Sequence, residues 1–342
     1  MRLKSKDIAK YLGVSPATVS LALNNKPGVK EETRKKIFDY IESYNNAVYV
    51  EAEEARGTIG KIRAIVYVGH EKIISDTTLN LLPGILAEIE REARSQGFEN
   101  SIVYFYEGKD DVKDLINSCI ADQISGVILF ATEMHNGDLN AFKKMDIPIL
   151  IYDNDFDEMY FDSIVINNRL AVKVGMDYLA KSGLLDVVYF YNSSNIYNFS
   201  ERRIGFLESS KSLFQIDGRK KMIEMGTEID EIYDNVTHYF LKEKNLPQAI
   251  FCENYSVSVG TVTALKDLKY KIPENISIIG IDEIPKYLMK NLKLTCVKVL
   301  HLQRATAAVK TLIKRITSKD SEPGIVMSFA PILIEGDSVL KS

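Results

Sequence analysis

Ser15, Thr18, Ser20 and Asn24 place three hydroxyls and an amide within ten residues of one another. Groups that both donate and accept suit the phosphate oxygens of a duplex. Interleaved with them, Pro16, Ala17 and Leu21 are placed to face base edges in a groove. Leu21 cannot form the bidentate pair that arginine makes with guanine. It either touches a thymine methyl or merely packs. A second set of groups stands further along the chain, where apolar runs end: His70 after Ile62–Val68, and Asp153 after Ile147–Tyr152. The carboxyl ends of such runs are where open α/β sheets place a ligand cleft. A lone histidine there is more often structural than a ligand contact.

The elements that would carry the first set are short helices. Ser5–Leu12 brings Ile8, Ala9 and Leu12 onto one face, and Gly13-Val14 breaks the run. Ser15 suits a helix cap and Pro16 the first helical position, where no N–H is needed. Ala17–Leu23 then continues with Val19 and Leu23 pointing inward. A third helix from Lys30 to Tyr44 turns Ile37, Ile41 and Tyr44 inward and carries Glu31 and Glu32 in its first turn, as the helix dipole favours. Two short helices around a glycine turn, braced by a third, form the helix-turn-helix plan, whose second helix lies in the major groove of DNA. Charge agrees: residues 1–46 hold nine Lys/Arg against five Asp/Glu, whereas the rest holds 34 against 42. A basic head on an acidic body suits a phosphate-binding module tethered to a body that does not bind phosphate.

The stretch KDIAKYLGVSPATVSLALNNKPGVKEETRKKI closely resembles the headpiece of the lactose-repressor (LacI/GalR) family. Asp7, Ile8, Ala9, Gly13, Val14, Ser15, Thr18, Val19, Ser20, Leu23 and Asn24 fill its first pattern, and Pro27, Val29, Thr33 and Arg34 its second. The resemblance implies a transcriptional regulator that binds a double-stranded DNA operator as a homodimer, one headpiece per half-site. Ser5 and Val29 complete the expected DNA contacts. In the family the next segment is a hinge helix that drives apolar side chains into the minor groove. Ala55-Arg56 resembles the family's Ala-Arg pair, but Thr58 stands where its wedge leucine would, and Glu51, Glu53 and Glu54 would be repelled by phosphates. The segment therefore reads as a solvated linker or as a helix that docks differently.

From Ile62 onward apolar runs alternate with amphipathic segments, which argues for parallel sheets. This part resembles, more loosely, the periplasmic-binding-protein type I fold of the same family, two Rossmann-like lobes joined by three crossovers. The expected organisation is an all-α helix-turn-helix domain at 1–46, a linker at 47–60 and an α/β body at 61–342. The body's first lobe comprises 61–160 with 294–322, and its second 163–291 with 325–340. The resemblance also assigns a cleft. Arg202 matches the arginine of the family's R-x-x-G-F segment, Asn254 matches its asparagine, and Asp282 the first aspartate of its G-F-D-D segment, with Glu283 in place of the second. With Asp153 and His70, these are the expected contacts of a small-molecule effector, a sugar or sugar derivative, since carboxylate, guanidinium and amide each hold neighbouring hydroxyls.

Other classes find little support. There is no phosphate loop, no dinucleotide fingerprint after the first strand and no G-x-S-x-G elbow. The four histidines lack metal-ligand spacing, and Cys119, Cys252 and Cys296 form no CxxC pair. No metal, cofactor or catalytic residue is expected. Asp153 with Asp282 could also be read as the carboxylate pair of a glycoside hydrolase, a reading that depends on their separation. A free sugar-binding module is the other alternative. No apolar run is long enough to cross a membrane and no secretory leader is visible, so the expected location is the cytoplasm.

Overall fold

The computed structural model describes residues 5–23, 29–30, 33–40, 58–71, 73–76, 81–156, 160–243, 245–318 and 322–341. The chain divides into two compact units, Met1–Gly60 with Arg94–Glu99, and Lys61–Ala93 with Asn100–Ser342.

In the first unit α1 (Ser5–Leu12) and α2 (Pro16–Leu23) meet at Gly13, whose φ of +65° is left-handed backbone that a side chain would strain. The Ser15 hydroxyl caps α2 by accepting the Thr18 N–H at 3.0 Å. Residues 33–40 form α3. Ile8, Ala9, Val19, Ala22 and Ile37 make the core, and Leu12, Val14, Val29 and Tyr40 pack around it. Tyr11 and Tyr40 stack with ring centroids 4.2 Å apart. One expectation fails here. Leu23 is 42% exposed, while Ala22 is fully buried. After Val19 the inward face advances by three residues rather than four, and the Ala22 carbonyl accepts Arg34 Nη1 at 2.8 Å, which ties α3 to that side. Ile41 and Tyr44 lie outside the described residues. At the end of the linker, Ile59 N–H donates to Gly97 O at 2.8 Å and Thr58 Oγ1 to Glu99 at 3.1 Å. Residues 47–57 fall outside the description.

The second unit holds two six-stranded sheets. The first is built from β1 (Gly60–Val68), β2 (Phe98–Tyr106), β3 (Gly126–Phe130), β4 (Ile149–Tyr152), β5 (Asp162–Ile166) and β11 (Val326–Phe329), in the order β11-β5-β4-β3-β1-β2. The second contains β6 (Val187–Tyr191), β7 (Met222–Glu224), β8 (Ala249–Cys252), β9 (Ser277–Ile281), β10 (Thr295–Lys298) and β12 (Ile332–Ile334), in the order β12-β10-β9-β8-β6-β7. The helices between them are α4 (Ile73–Asp76), α5 (Leu82–Ser95), α6 (Val112–Ala121), α7 (Leu139–Phe142), α8 (Asn168–Lys181), α9 (Tyr197–Phe214), α10 (Ile229–Lys242), α11 (Tyr255–Asp267) and α12 (His301–Thr317). Strands β3, β4, β5, β8 and β9 are buried along their whole length, as helices on both faces of a parallel sheet require. Ile65, Phe105, Leu129 and Ile151 anchor the core of the first lobe. Phe190, Ile250 and Ile278 anchor one face of the second sheet, and Tyr189, Phe206 and Phe251 the other.

The crossovers between lobes fall about one strand later than expected. β5 pairs with β4, and β11 with β5, so both complete the first sheet, whereas β10 pairs with β9 and completes the second. The chain therefore changes lobe between β5 and α8, between β10 and α12, and between β11 and β12. The expected boundaries had moved each of those strands into the wrong lobe. Each is only four or five residues long, and its sheet is chosen by its pairing partner rather than by its own apolar pattern.

One close approach decides where cleft residues stand. A Cβ on Gly205 would lie 2.9 Å from the Arg169 Cα, so α8 and α9 meet backbone to backbone at this point. That contact brings Arg202 on α9 beside Asn168 at the start of α8.

Candidate functional site

Helix α2 buries Val19 and Ala22 and turns the remaining surface outward. Pro16, Ala17 and Ser20 are exposed, while Thr18 and Leu21 are half-buried. The Ser15 and Thr18 hydroxyls lie 2.8 Å apart, so Ser15 organises the helix start as well as facing solvent. Val29 is half-buried against the headpiece core. The Ser5 backbone begins α1. The side chain of Ser5, and Asn24, Ala55 and Arg56 altogether, lie outside the description.

In the second unit, Asp153 follows β4 and Asp282 follows β9. Each has a φ of +73°, a left-handed conformation that aspartate tolerates better than most residues. The Asp153 carboxylate is fully engaged. Its Oδ2 accepts Thr132 Oγ1 at 3.0 Å and Asn198 Nδ2 at 2.9 Å, and its Oδ1 accepts Arg304 Nη2 at 2.5 Å. Thr132 and Arg304 belong to the first lobe and Asn198 to the second, so one carboxylate ties the two together. Arg304 is 1% exposed, and its guanidinium lies over the Tyr152 ring, 4.6 Å from the centroid. Asp282 Oδ1 meets His301 Nε2 at 2.9 Å. Burial pushes the Asp282 carboxyl up, but His301, Arg202 and Arg304 outweigh it and hold it below its ordinary value. The acid of a glycoside hydrolase needs the opposite shift, so the paired-carboxylate reading loses its proton donor at Asp282.

Arg202 is buried. Its Nε donates to Asn168 Oδ1 at 2.9 Å and its Nη1 to the Glu253 carbonyl at 2.8 Å. Asn168 Nδ2 donates in turn to Asn198 Oδ1 at 2.7 Å, which links Arg202 to the Asp153 knot. Asn254 stands next to Glu253, but its side-chain oxygen caps α11 by accepting Val257 N–H at 3.0 Å. His70 stands elsewhere, its side chain 80% exposed and 3.7 Å from Glu107, on the lip of a separate pocket with Glu71 and Ser194. The structure thus joins Asp153 and Arg202 through hydrogen bonds, sets the Asp282–His301 pair within electrostatic reach of Arg202 and Arg304, and leaves His70 outside this network.

Sequence reasoning passed over several members of this network. Thr132, Asn198, His301 and Arg304 complete it. The last two were legible in HLQR at the start of α12, where positions i and i+3 share a face. Two buried carboxylates also support the rim. Glu133 accepts Gly69 N–H at 2.7 Å and Ile74 N–H at 2.6 Å, and Glu253 accepts Asn192 N–H at 2.9 Å and Arg203 Nε at 3.0 Å. Burial raises both carboxyls despite these partners. A small cavity of about 50 Å³, open on one side, lies among Ile74, Leu82, Phe130, Tyr152, His301 and Arg304. Among the described residues no helix is long and apolar enough to cross a membrane.

Residues 5–46 match the family model of bacterial regulatory proteins, lacI family, and residues 176–339 that of a periplasmic binding protein-like domain. The chain is 26% identical over 292 residues to "Probable HTH-type transcriptional repressor ExuR" of Bacillus subtilis (strain 168), covering 82% of this chain and 81% of that one. It is 24% identical over 311 residues to "HTH-type transcriptional repressor PurR" of Actinobacillus pleuropneumoniae serotype 3 (strain JL03), covering 91% and 90%. Among solved structures it resembles the transcriptional regulator CelR–cellobiose complex, with a TM-score of 0.69 at 15% identity, over 98% of this chain and 100% of that one. It also resembles the lac repressor dimer bound to operator and the anti-inducer ONPF, with a TM-score of 0.67 at 18% identity, over 99% and 100%.

Proposed function

We propose that this chain, a member of the lacI family of bacterial regulatory proteins, is a homodimeric repressor whose hold on a DNA operator is set by a small molecule bound between its two lobes. The observation that carries the reading is helix α2. It is capped by Ser15, anchored by Val19 and Ala22, and presents Pro16, Ala17 and Ser20 to the outside with Leu21 half-buried beside them. Those side chains are the base-facing and phosphate-facing set of a recognition helix, and Thr18, Ser5, Asn24 and Val29 extend it. A two-fold dimer then reads a two-fold operator with half-sites one or more helical turns apart.

The effector site of this reading is the network of Asp153, Arg202 and Asp282; Asn254, which caps α11, and His70, on the lip of a separate pocket, stand outside it. Carbohydrate is the proposed effector class. The CelR structure holds cellobiose, and repressors named PurR stand among the relatives, so the family resemblance alone does not fix the ligand. Groups that join the lobes directly are the ones a ligand must reorganise, which gives binding a route to the DNA-reading end. Footprinting the full-length protein on its own upstream region, with and without candidate sugars, tests the reading. A protected palindrome whose affinity falls steeply with salt is the expected result. No protection at low salt refutes it.

A further inference from the structure

On the side of the cleft away from the crossovers, the two lobes hold each other. Ser194 Oγ donates to the Glu71 carbonyl at 3.2 Å, and the Asn195 N–H donates to Glu71 Oε2 at 3.1 Å. Beside them Ile73 of the first lobe packs with Ile196 and Phe199 of the second, all three buried. Both jaws are braced from within their own lobe. Glu133 accepts the backbone N–H groups of Gly69 and Ile74. Opposite, Arg203 Nη2 donates to the Ser194 carbonyl at 3.0 Å, and the Ser194 N–H donates to Asn192 Oδ1 at 2.9 Å. Glu71 follows β1 and Ser194 follows β6, whereas the crossovers leave from β5, β10 and β11. β1 stands three strands from β5, and β6 three strands from β10. At about 4.8 Å per strand, the contact lies roughly 14 Å from the joints. A lobe rotation of about 15° moves it by roughly 4 Å, more than a hydrogen bond tolerates.

We propose that this contact is a clasp, and that the balance between its shut and parted forms sets the body's hold on DNA. The second half rests on the repressor reading and on the cleft network being the effector site. In the clasped arrangement that network is bonded across the lobes, Asn198 Nδ2 to Asp153 Oδ2 at 2.9 Å and His301 Nε2 to Asp282 Oδ1 at 2.9 Å. The cavity beside these groups measures about 50 Å³, room for a few water molecules, whereas sites for small ligands run to about 300–1,000 Å³. A sugar ring beside Asp153 needs more room than the clasped lobes leave. That room comes from drawing Asn198 away from Asp153 and Asp282 away from His301. The clasped arrangement and an occupied cleft therefore exclude each other, and a substitution that loosens the clasp stands in for the effector.

Hydrogen-exchange mass spectrometry on the full-length protein tests the clasp, because each partner is read from the opposite lobe. Glu71→Ala should speed exchange across residues 193–199 of the second lobe about fivefold or more, as loss of one hydrogen bond predicts. Glu71→Gln keeps an acceptor and should fall between parent and alanine variant. Ser194→Ala should speed exchange across Ile73–Asp76 in the first lobe. A rise confined to the lobe that carries the substitution, or no rise, overturns the clasp. Fluorescence anisotropy with the protein's own upstream DNA tests the control the clasp exerts. Glu71→Ala and Ser194→Ala should shift affinity in the same direction, by about fivefold or more, the lower end of ordinary coupling between sites. Unchanged affinity beside faster cross-lobe exchange overturns the regulatory half. A parent protein that does not bind that DNA strikes the repressor reading and the regulatory half with it, while the exchange measurements still decide the clasp.

Discussion

Replacing Arg304 with leucine would keep most of the side-chain volume and remove the cation from the knot that joins the lobes. Asp153 would keep Thr132 and Asn198 as donors at 3.0 and 2.9 Å and lose the 2.5 Å contact from Arg304. The Arg304 side chain is 1% exposed and that of Asp153 16%. Breaking a buried ion pair by removing one partner costs roughly 3–5 kcal/mol, because the other charge stays behind uncompensated. Partial exposure and two surviving donors place this case at the low end, about 3 kcal/mol. For a body of this size that lowers the thermal midpoint by roughly 6–12 °C, at about 2–4 °C per kcal/mol. The control is Arg304→Leu combined with Asp153→Asn. Asparagine accepts the same backbone conformation, still pairs with Thr132 and Asn198, and leaves no charge behind. The double variant should recover to within about 1 kcal/mol of the parent, since neutralising both partners of a buried pair is often close to neutral. The assay is denaturant unfolding of all four members of the cycle. A single variant within about 1 kcal/mol of the parent, or a double variant showing the plain sum of two losses, would refute the claim that Arg304 serves chiefly to neutralise Asp153.

Other expectations follow from single contacts. Ser15→Ala removes the cap of α2 and should cost about 1 kcal/mol of headpiece stability, seen as an earlier helical transition in circular dichroism, together with weaker operator binding. Leu21, if it touches a thymine methyl, should make the protein lose about fourfold in affinity when uracil replaces that thymine, since one methyl is worth about 0.8 kcal/mol; Leu21→Ala should erase the difference. Gly205→Ala forces a Cβ to 2.9 Å from the Arg169 Cα, so α8 and α9 must part at a cost of roughly 1–3 kcal/mol, and effector affinity should fall as Arg202 leaves Asn168. The lowered Asp282 carboxyl stabilises the fold fully above the ordinary aspartate value of about 4 and loses that contribution as pH falls through its native value. Unfolding free energies of the parent and Asp282→Asn should therefore differ most near neutral pH and converge in acid.

How legible each part was depended on whether its signal is local. The headpiece announced itself because a glycine at left-handed φ, a serine cap and a proline at the first helical position each dictate conformation where they stand. Leu23 misled because choosing between a three- and a four-residue step needs the partner, and Arg34 reaching the Ala22 carbonyl makes that choice. Buried strands such as β3 (GVILF) and β9 (SIIGI) were readable as apolar runs. The sheet to which β5, β10 and β11 belong was not, since it is fixed by pairing with β4, β9 and β5 and not by any pattern within four or five residues. The cleft shows the same division. Asp153 and Asp282 could be found at strand ends, but Arg304 sits inside a helix that reads as an ordinary amphipathic segment. Its role appears only when β4 and α12 are brought together from 151 residues apart.

The two cleft carboxylates are placed alike, one residue past the fourth strand in chain order of each sheet, β4 and β9, both with the same φ. What differs is the partner. Asp153 is met by Arg304 and Asp282 by His301, and both side chains come from the first turn of α12. That turn follows directly on the crossover from β10, where the chain passes between lobes. A single helical turn therefore holds the strand ends of both sheets and stands at one of the three joints between them. A ligand that recruits His301 and Arg304 acts on both lobes and on a joint at once. Differential contacts of this kind are what allow binding energy to shift a two-state body.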